Sequence, residues 1–313
     1  MPIHNDNIPS YDNCHEVTSR CKVEYTVFGD YLSKGASALF VIAFTILLLL
    51  QIWYGTRGRM WSFMIWLGIG TLFELLGYCG RYALSKNPWD MNAFLIQYLT
   101  LLLGPTLTAA AISITFKYLV IWYGPQWSIM RPKLYPLVFV GTDIISIFVQ
   151  VVGGGMIAVS TTGKGNGNTK NFGEGLVIGG VIFQVVNMLC CATLMLVYAK
   201  RRRSSLRVGF EQMDREESPS VPLENSARKA KRVKVFCVIL GAAYTAIIIR
   251  CTYRIFETLP ATSEKVIRNE TLFYVFDGAL ILFAIGLVTI FHPYKMFPSL
   301  SQKDKQEQQY GLR

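Results

Sequence analysis

Charge is scarce in this chain. Only 16% of its 313 residues are Asp, Glu, Lys or Arg, against 52% hydrophobic, and the mean hydropathy is +0.34. A soluble domain of this size carries about a quarter charged residues, so a single water-soluble core is excluded. Histidine is scarcer still. His4, His15 and His292 are too scattered for an intramembrane metal site, and no metal or other cofactor is expected. No Gly-Lys is followed by Ser or Thr, so the glycine-rich stretch STTGKGNGNTKNFGEG is not a phosphate-binding loop and ATP is excluded as a ligand. The first thirty residues lack a basic leader, an apolar run and a small-residue cleavage site, which excludes a secretory signal peptide. The first apolar span is therefore expected to direct the chain to the membrane and remain in it. Internal repeats and heptads are absent as well.

What the chain has instead is long apolar runs. Windows of about 20 apolar residues, each able to cross a ~30 Å hydrocarbon core, fall near 35–54, 60–81, 93–116, 134–157, 175–199, 233–256 and 272–292. The runs are continuous rather than alternating, which selects helices over a barrel. The fold class predicted is all-α: a polytopic membrane protein with seven transmembrane helices over 35–293. An N-terminal segment precedes it at 1–34, a long basic loop interrupts it at about 200–232, and a tail follows at 294–313. Trp53, Tyr54, Trp89, Trp122, Tyr123 and Trp127 mark span ends as an interfacial belt would.

The basic residues set the direction. Connections on one side hold 20 of the 31 Lys and Arg, eleven of them between Lys200 and Lys234, and those on the other side hold nine. Arg250 and Arg254 fall inside the sixth span. By the positive-inside rule the N-terminus faces outside and the C-terminus the cytosol. The net charge of +11 thus sits beside apolar segments, not on a polar domain, so nucleic acid is not a partner. The long basic loop reads as a stop-transfer cluster with a solvated linker. Its sharper reading is binding to anionic lipid, released by phosphorylation at sites such as Ser218 before Pro219. On the outer side Cys14 and Cys21 are candidates for a disulfide, and Asn269 opens a glycosylation sequon next to the seventh span. The other five cysteines fall in spans and read as small apolar fillers.

Inside those spans lie charges that need partners or water, because each costs on the order of 2.5–3.5 kcal/mol at mid-membrane. Glu74, Asp143, Asp277, Arg250 and Arg254 are intramembrane, and Arg81 ends the second span. Glu74, Gly77, Tyr78 and Arg81 share one helix face, as do Asp143, Ser146, Gln150 and Gly154. Glu74 and Arg81 are about 10 Å apart along the axis, so they are expected to serve different partners. Gln184 and Asn187 make a weaker polar pair on the fifth span. Counting depth from the span ends predicts a polar cavity biased to the outer leaflet. The bland alternative is a set of buried ion pairs that fix helix register. Gly153-Gly154-Gly155 is expected to allow close helix packing, and His292-Pro293 to end the last helix.

The segments FELLGYCGRY, NAFLIQYLTLLLGP, TDIISIFVQVVGGGM, RCTYRIFE and FDGALILFAIGLVTIFHP, taken in order, resemble the fungal lipid-translocating exporters, a seven-helix family named for resistance to aminocholesterol. DMNAF and QVVGGGM are most similar to its sphingoid long-chain-base resistance branch. The resemblance covers roughly residues 35–293. It implies that Glu74, Gly77, Tyr78, Arg81, Asp143, Gln150, Arg254, Asp277, His292 and Pro293 are characteristic positions. It also implies movement of sphingoid bases or other amphiphiles, porphyrins and drugs among them, in the fungal plasma membrane.

The leading expectation is therefore a transporter, not an enzyme, that moves a cationic amphiphile such as a sphingoid base toward the outer face. Its partners would be membrane lipids. Glu74 and Asp143 would bind the amine beside Gln150 and Tyr78, with Arg81, Arg250 and Arg254 tuning those acids or holding a phosphate, and Asp277 would belong to the same surface. The alternative is a seven-helix receptor-like sensor or regulator of membrane lipid. The third span lacks an Asp-Arg-Tyr motif and the seventh an Asn-Pro-x-x-Tyr motif, which argues against one receptor family. Oligomeric state is not encoded in any pattern found.

Overall fold

A hydrocarbon environment requires each backbone polar group to be satisfied within its own segment. The long apolar runs meet that requirement as helices. The computed structural model describes residues 9, 11, 13–59, 61–123, 134–161, 167–213, 223–259 and 266–291. Among the described residues it has no strand and has seven helices long and apolar enough to cross a membrane. They are α1 (Lys34–Gly58), α2 (Trp61–Leu84), α3 (Met91–Tyr123), α4 (Leu134–Thr161), α5 (Gly167–Met213), α6 (Leu223–Thr258) and α7 (Glu270–Ile290). The chain is an integral membrane protein with an all-α fold.

Each span predicted from hydropathy corresponds to one helix. The differences are in length. α5 and α6 run well past the apolar windows at 175–199 and 233–256 into the basic connection, because its Arg, Lys, Leu, Glu and Ala are good helix formers once a helix is under way. The interval read as a loop at 200–232 is thus helical up to Met213 and again from Leu223. Ser218, His292 and Pro293 lie outside the described residues.

Neighbours in sequence pack as neighbours in space, and α1 closes the ring against α7. α3 is the most enclosed of the seven and also touches α6. Outward faces remain apolar and uncovered: Leu39, Ile42, Ile46, Leu49 and Trp53 recur along α1 at 52–62% exposure, as a lipid-facing stripe does. Inward, Phe44, Leu67, Ile112, Met188, Ile247 and Ile281 are at most 1% exposed and form the core.

Two pairs of helices approach backbone to backbone. A Cβ on Gly153 of α4 would stand 2.7 Å from the Gly173 carbonyl of α5, and one on Gly173 would stand 2.8 Å from the Gly153 carbonyl. Of the triple glycine, then, Gly153 makes the close contact, whereas Gly155 faces open space. Gly80 of α2 similarly lies against the backbone of Ala93 and Gln97 on α3.

The segment before α1 folds over the same end of the bundle, the N-terminal face. Cys14 and Cys21 are disulfide-bonded. The indole of Trp89 donates to the Cys21 carbonyl at 3.1 Å, and the Asn87 amide donates to the His15 carbonyl at 2.7 Å. Tyr11 packs on Trp89 with ring centroids 5.1 Å apart, and this burial pushes its phenol above the ordinary range.

Candidate functional site

Two local departures from regular helix prepare the site. In α3 Pro105 has no N–H, so the carbonyl of Leu101, four residues earlier, loses its helical donor. In α7 Asn269 caps the start, accepting from Leu272 N at 3.3 Å, and residues Phe273–Ala279 then widen into a π-helical stretch. Such stretches shift the backbone ladder and recur at functional sites.

Arg250 of α6 uses both departures. Its Nη2 donates to the Leu101 carbonyl at 3.0 Å, and its Nε to the Asp277 carbonyl at 3.0 Å. The same Nη2 lies 3.2 Å from Glu74 Oε1 and 3.2 Å from Asp277 Oδ2. Arg250 is 1% exposed, and Glu74 and Asp277 are fully buried. One guanidinium thus ties α2, α3, α6 and α7 together. Gly104 leaves room for Glu74, since a Cβ there would overlap its carboxylate.

The network continues toward the N-terminal face. Arg254 Nε sits 2.8 Å from Asp277 Oδ1, and its Nη1 sits 2.9 Å from Glu257. Arg81 sits over the Phe273 ring, its Cζ 3.9 Å from the centroid, donates from Nε to the Tyr274 hydroxyl at 3.2 Å, and reaches Glu270 at 3.5 Å. That hydroxyl donates to Glu270 at 2.9 Å and lies 3.0 Å from Ser37 Oγ on α1. Glu74 and Arg81 therefore take different partners, Arg250 and Glu270. Among the described residues, the ion pairs of this network join three guanidinium groups to four carboxylates.

Tyr78 shares the helix face of Glu74 but not its network. Its ring stacks on Phe40 and Phe44 at 4.7 and 5.5 Å, and its hydroxyl is buried against Gly278 without a hydrogen-bond partner.

A second, neutral chain of hydrogen bonds joins α3, α4 and α5. Gln184 donates to Thr106 Oγ1 at 2.8 Å, Gln150 donates to Gln184 Oε1 at 3.2 Å and to Ser146 Oγ at 2.9 Å, and Ser146 donates to the Gly180 carbonyl at 2.6 Å. Asp143, two turns below Gln150 on α4, accepts from Asn187 Nδ2 at 2.7 Å. Asn187 also donates to the Phe139 carbonyl at 3.1 Å.

The two networks meet at α3, where Gly104 touches Glu74 and Thr106 receives Gln184. At 1.5 Å rise per residue, Asp277 lies about 10 Å from the start of α7 and Glu74 about 15 Å from the end of α2, but Asp143 about 27 Å from the end of α4. Polar side chains therefore descend stepwise from Glu270 and Glu257 at the N-terminal face to Asp143 deep in the bundle. Among the described residues no His, Cys, Asp and Glu cluster is arranged to hold a metal ion.

Glu257, Glu270, Tyr274 and the Leu101 carbonyl are members that inspection of single spans passes over. Glu257 was visible as an acid three residues after Arg254, and Glu270 as the acid opening the last span. Asn269, the sequon residue, is exposed and caps α7.

With this geometry in hand, comparison with known proteins is informative. A family model described as RTA1 like protein matches residues 67–300. Sphingoid long-chain base transporter RSB1 of Saccharomyces cerevisiae (strain Lalvin EC1118 / Prise de mousse) is 28% identical over 276 residues, covering 81% of this chain and 69% of that protein. Lipid-translocating exporter-like protein RTA1 of Leptosphaeria maculans is 27% identical over 290 residues, 85% of this chain and 50% of its own. Protoporphyrin uptake protein 1 of Saccharomyces cerevisiae is 26% identical over 219 residues, 69% of this chain and 64% of its own. No solved structure is a significant match.

Proposed function

The chain belongs to the RTA1-like protein family, and from that premise we propose that it translocates sphingoid long-chain bases or similar cationic amphiphiles from the cytosolic to the outer leaflet of the plasma membrane. Relatives named as transporters and exporters place it in a lipid and amphiphile transport family, not among enzymes. The N-terminal face is taken as the outer one, from the bias of Lys and Arg toward the opposite connections.

The observation that carries the reading is the stepwise line of buried polar groups with more carboxylates than cations. A sphingoid head group offers an ammonium and hydroxyls, which suit carboxylates beside amides, while its chain stays in lipid. Asp143 and Gln150 would receive the head group deep in the bundle. Glu257 and Glu270, the partly exposed acids at 17% and 30%, would release it at the rim. Glu74, Asp277, Arg250 and Arg254 would hold the wall between them, with Arg81 and Tyr78 packing α7 and α1 against it. The basic ends of α5 and α6 would rest on anionic lipid at the cytosolic surface, and Asn269 would carry any glycan.

The test is movement of a labelled long-chain base in proteoliposomes containing the purified chain. Base equilibrating faster than in empty vesicles, and slower in a Glu257→Gln, Glu270→Gln double variant, is the expected result. Protein that moves no base, while its loss from cells alters lipid handling, would instead support the regulator.

A further inference from the structure

Asp143 differs from every other buried acid in the bundle. Its side chain is 5% exposed, and among the described residues no cation lies within ion-pair distance. Among the described residues its one hydrogen bond is that from the Asn187 amide to Oδ1. Asn187 has no further hydrogen to give, because its second goes to the Phe139 carbonyl. Among the described residues, the titratable groups near Asp143 are Cys191 from α5 and Tyr244 and Cys251 from α6, none of them cationic. Cys251 has Arg250 and Arg254 as well as Asp143 in its surroundings.

The neighbouring amide chain has the same shortage. Each step from Gln184 to Ser146 spends a donor, and the chain ends with Gln150 Oε1 buried and unpartnered. Among the described residues Gln150 Oε1 has no donor and Asp143 has one. An ionised carboxylate in a low-dielectric interior is too costly to persist alone, and one neutral amide does not offset that cost. It must take a proton or a cation from outside the protein.

Resting on the transport reading above, we propose that Asp143 is an exchange site, holding either a proton or the ammonium of the amphiphile but not both. The ammonium supplies the donors that the Asp143 carboxylate lacks. Protonation of Asp143 removes the charge and returns the head group to the path, so net movement of one base is accompanied by one proton in the opposite sense. Glu74 and Asp277 do not share this behaviour, because each already faces a guanidinium.

The experiment uses the full chain in proteoliposomes with a radiolabelled C18 sphingoid base and a pH-sensitive dye in the lumen. Wild type should move base faster under an imposed proton gradient, with a matching change in lumenal pH. Asp143→Asn should reduce the gradient-driven component at least about tenfold, the effect of losing one good charge contact. Asp143→Glu should restore it. In detergent, binding of the same base to wild type should weaken in mildly acidic buffer, a readout that needs no variant to fold. Wild type that moves no base at all refutes the transport reading itself. Wild type that moves base, but with Asp143→Asn responding to the gradient like the parent, or with binding independent of pH, overturns the exchange site alone.

Discussion

Between α2, α6 and α7 each buried carboxylate meets a guanidinium at no more than 3.5 Å, whereas the carboxylate between α4 and α5 meets, among the described residues, only an amide. Both regions lie in a bundle that lipid surrounds. In the first, the cost of desolvating charge is offset by pairing and by hydrogen bonds to two carbonyls, of which that of Leu101 has no helical donor. In the second it is left open. Paired charge holds helices in place, and unpaired charge can change state. On the proposed reading the first region fixes the architecture and the second responds to a ligand.

The largest effect should come from removing the cation of the paired region. Arg250→Met strands Glu74, leaves Asp277 to Arg254 alone, and should cost about 3–5 kcal/mol, measured as a lower Tm in detergent. Adding Glu74→Gln should recover part of that loss, and a double variant no more stable than Arg250→Met would mean the pair is not the source. Next, Gly104→Ala should displace the Glu74 carboxylate and cost about 1–3 kcal/mol as overpacking. That penalty should shrink when Glu74 is also made Ala. Pro105→Ala restores an N–H that competes with Arg250 for the Leu101 carbonyl, an exchange worth about 1 kcal/mol. Slow hydrogen exchange at the new amide would show the competition. The smallest effect belongs to the neutral region. Gln184→Leu should change stability by only about 0.6 kcal/mol, the average for hydrogen bonds between membrane helices. A much larger loss would erase the distinction between the regions.

Much of this was legible in the sequence. Hydropathy placed all seven helices, because a bilayer sets both their length and their composition. Spacing put Glu74, Gly77, Tyr78 and Arg81 on one face, and all four are buried. Pairing was not legible, since Arg250 chooses among acids on helices far apart in the chain. Glu270 belongs to the first turn of α7, where polarity reads as a boundary, yet it is the partner of Arg81. The proline in LLLGP was plain to see. Its consequence depends on a side chain 145 positions later and on a π-helical stretch, which leaves no mark in composition.

The carbonyls of Leu101 and Asp277 act on one side chain like two ends of a dowel hole. Sliding α3 or α7 along α6 by one helical turn, about 5.4 Å, would carry a carbonyl out of reach of Arg250 and unseat it. α3, α6 and α7 are thereby keyed in register. α4 and α5 lie outside this lock: they meet each other backbone to backbone at Gly153 and Gly173 and are joined to α3 through Thr106 and Gln184. The proline and the π-turn, usually points of weakness in a helix, here fix the relative height of three helices.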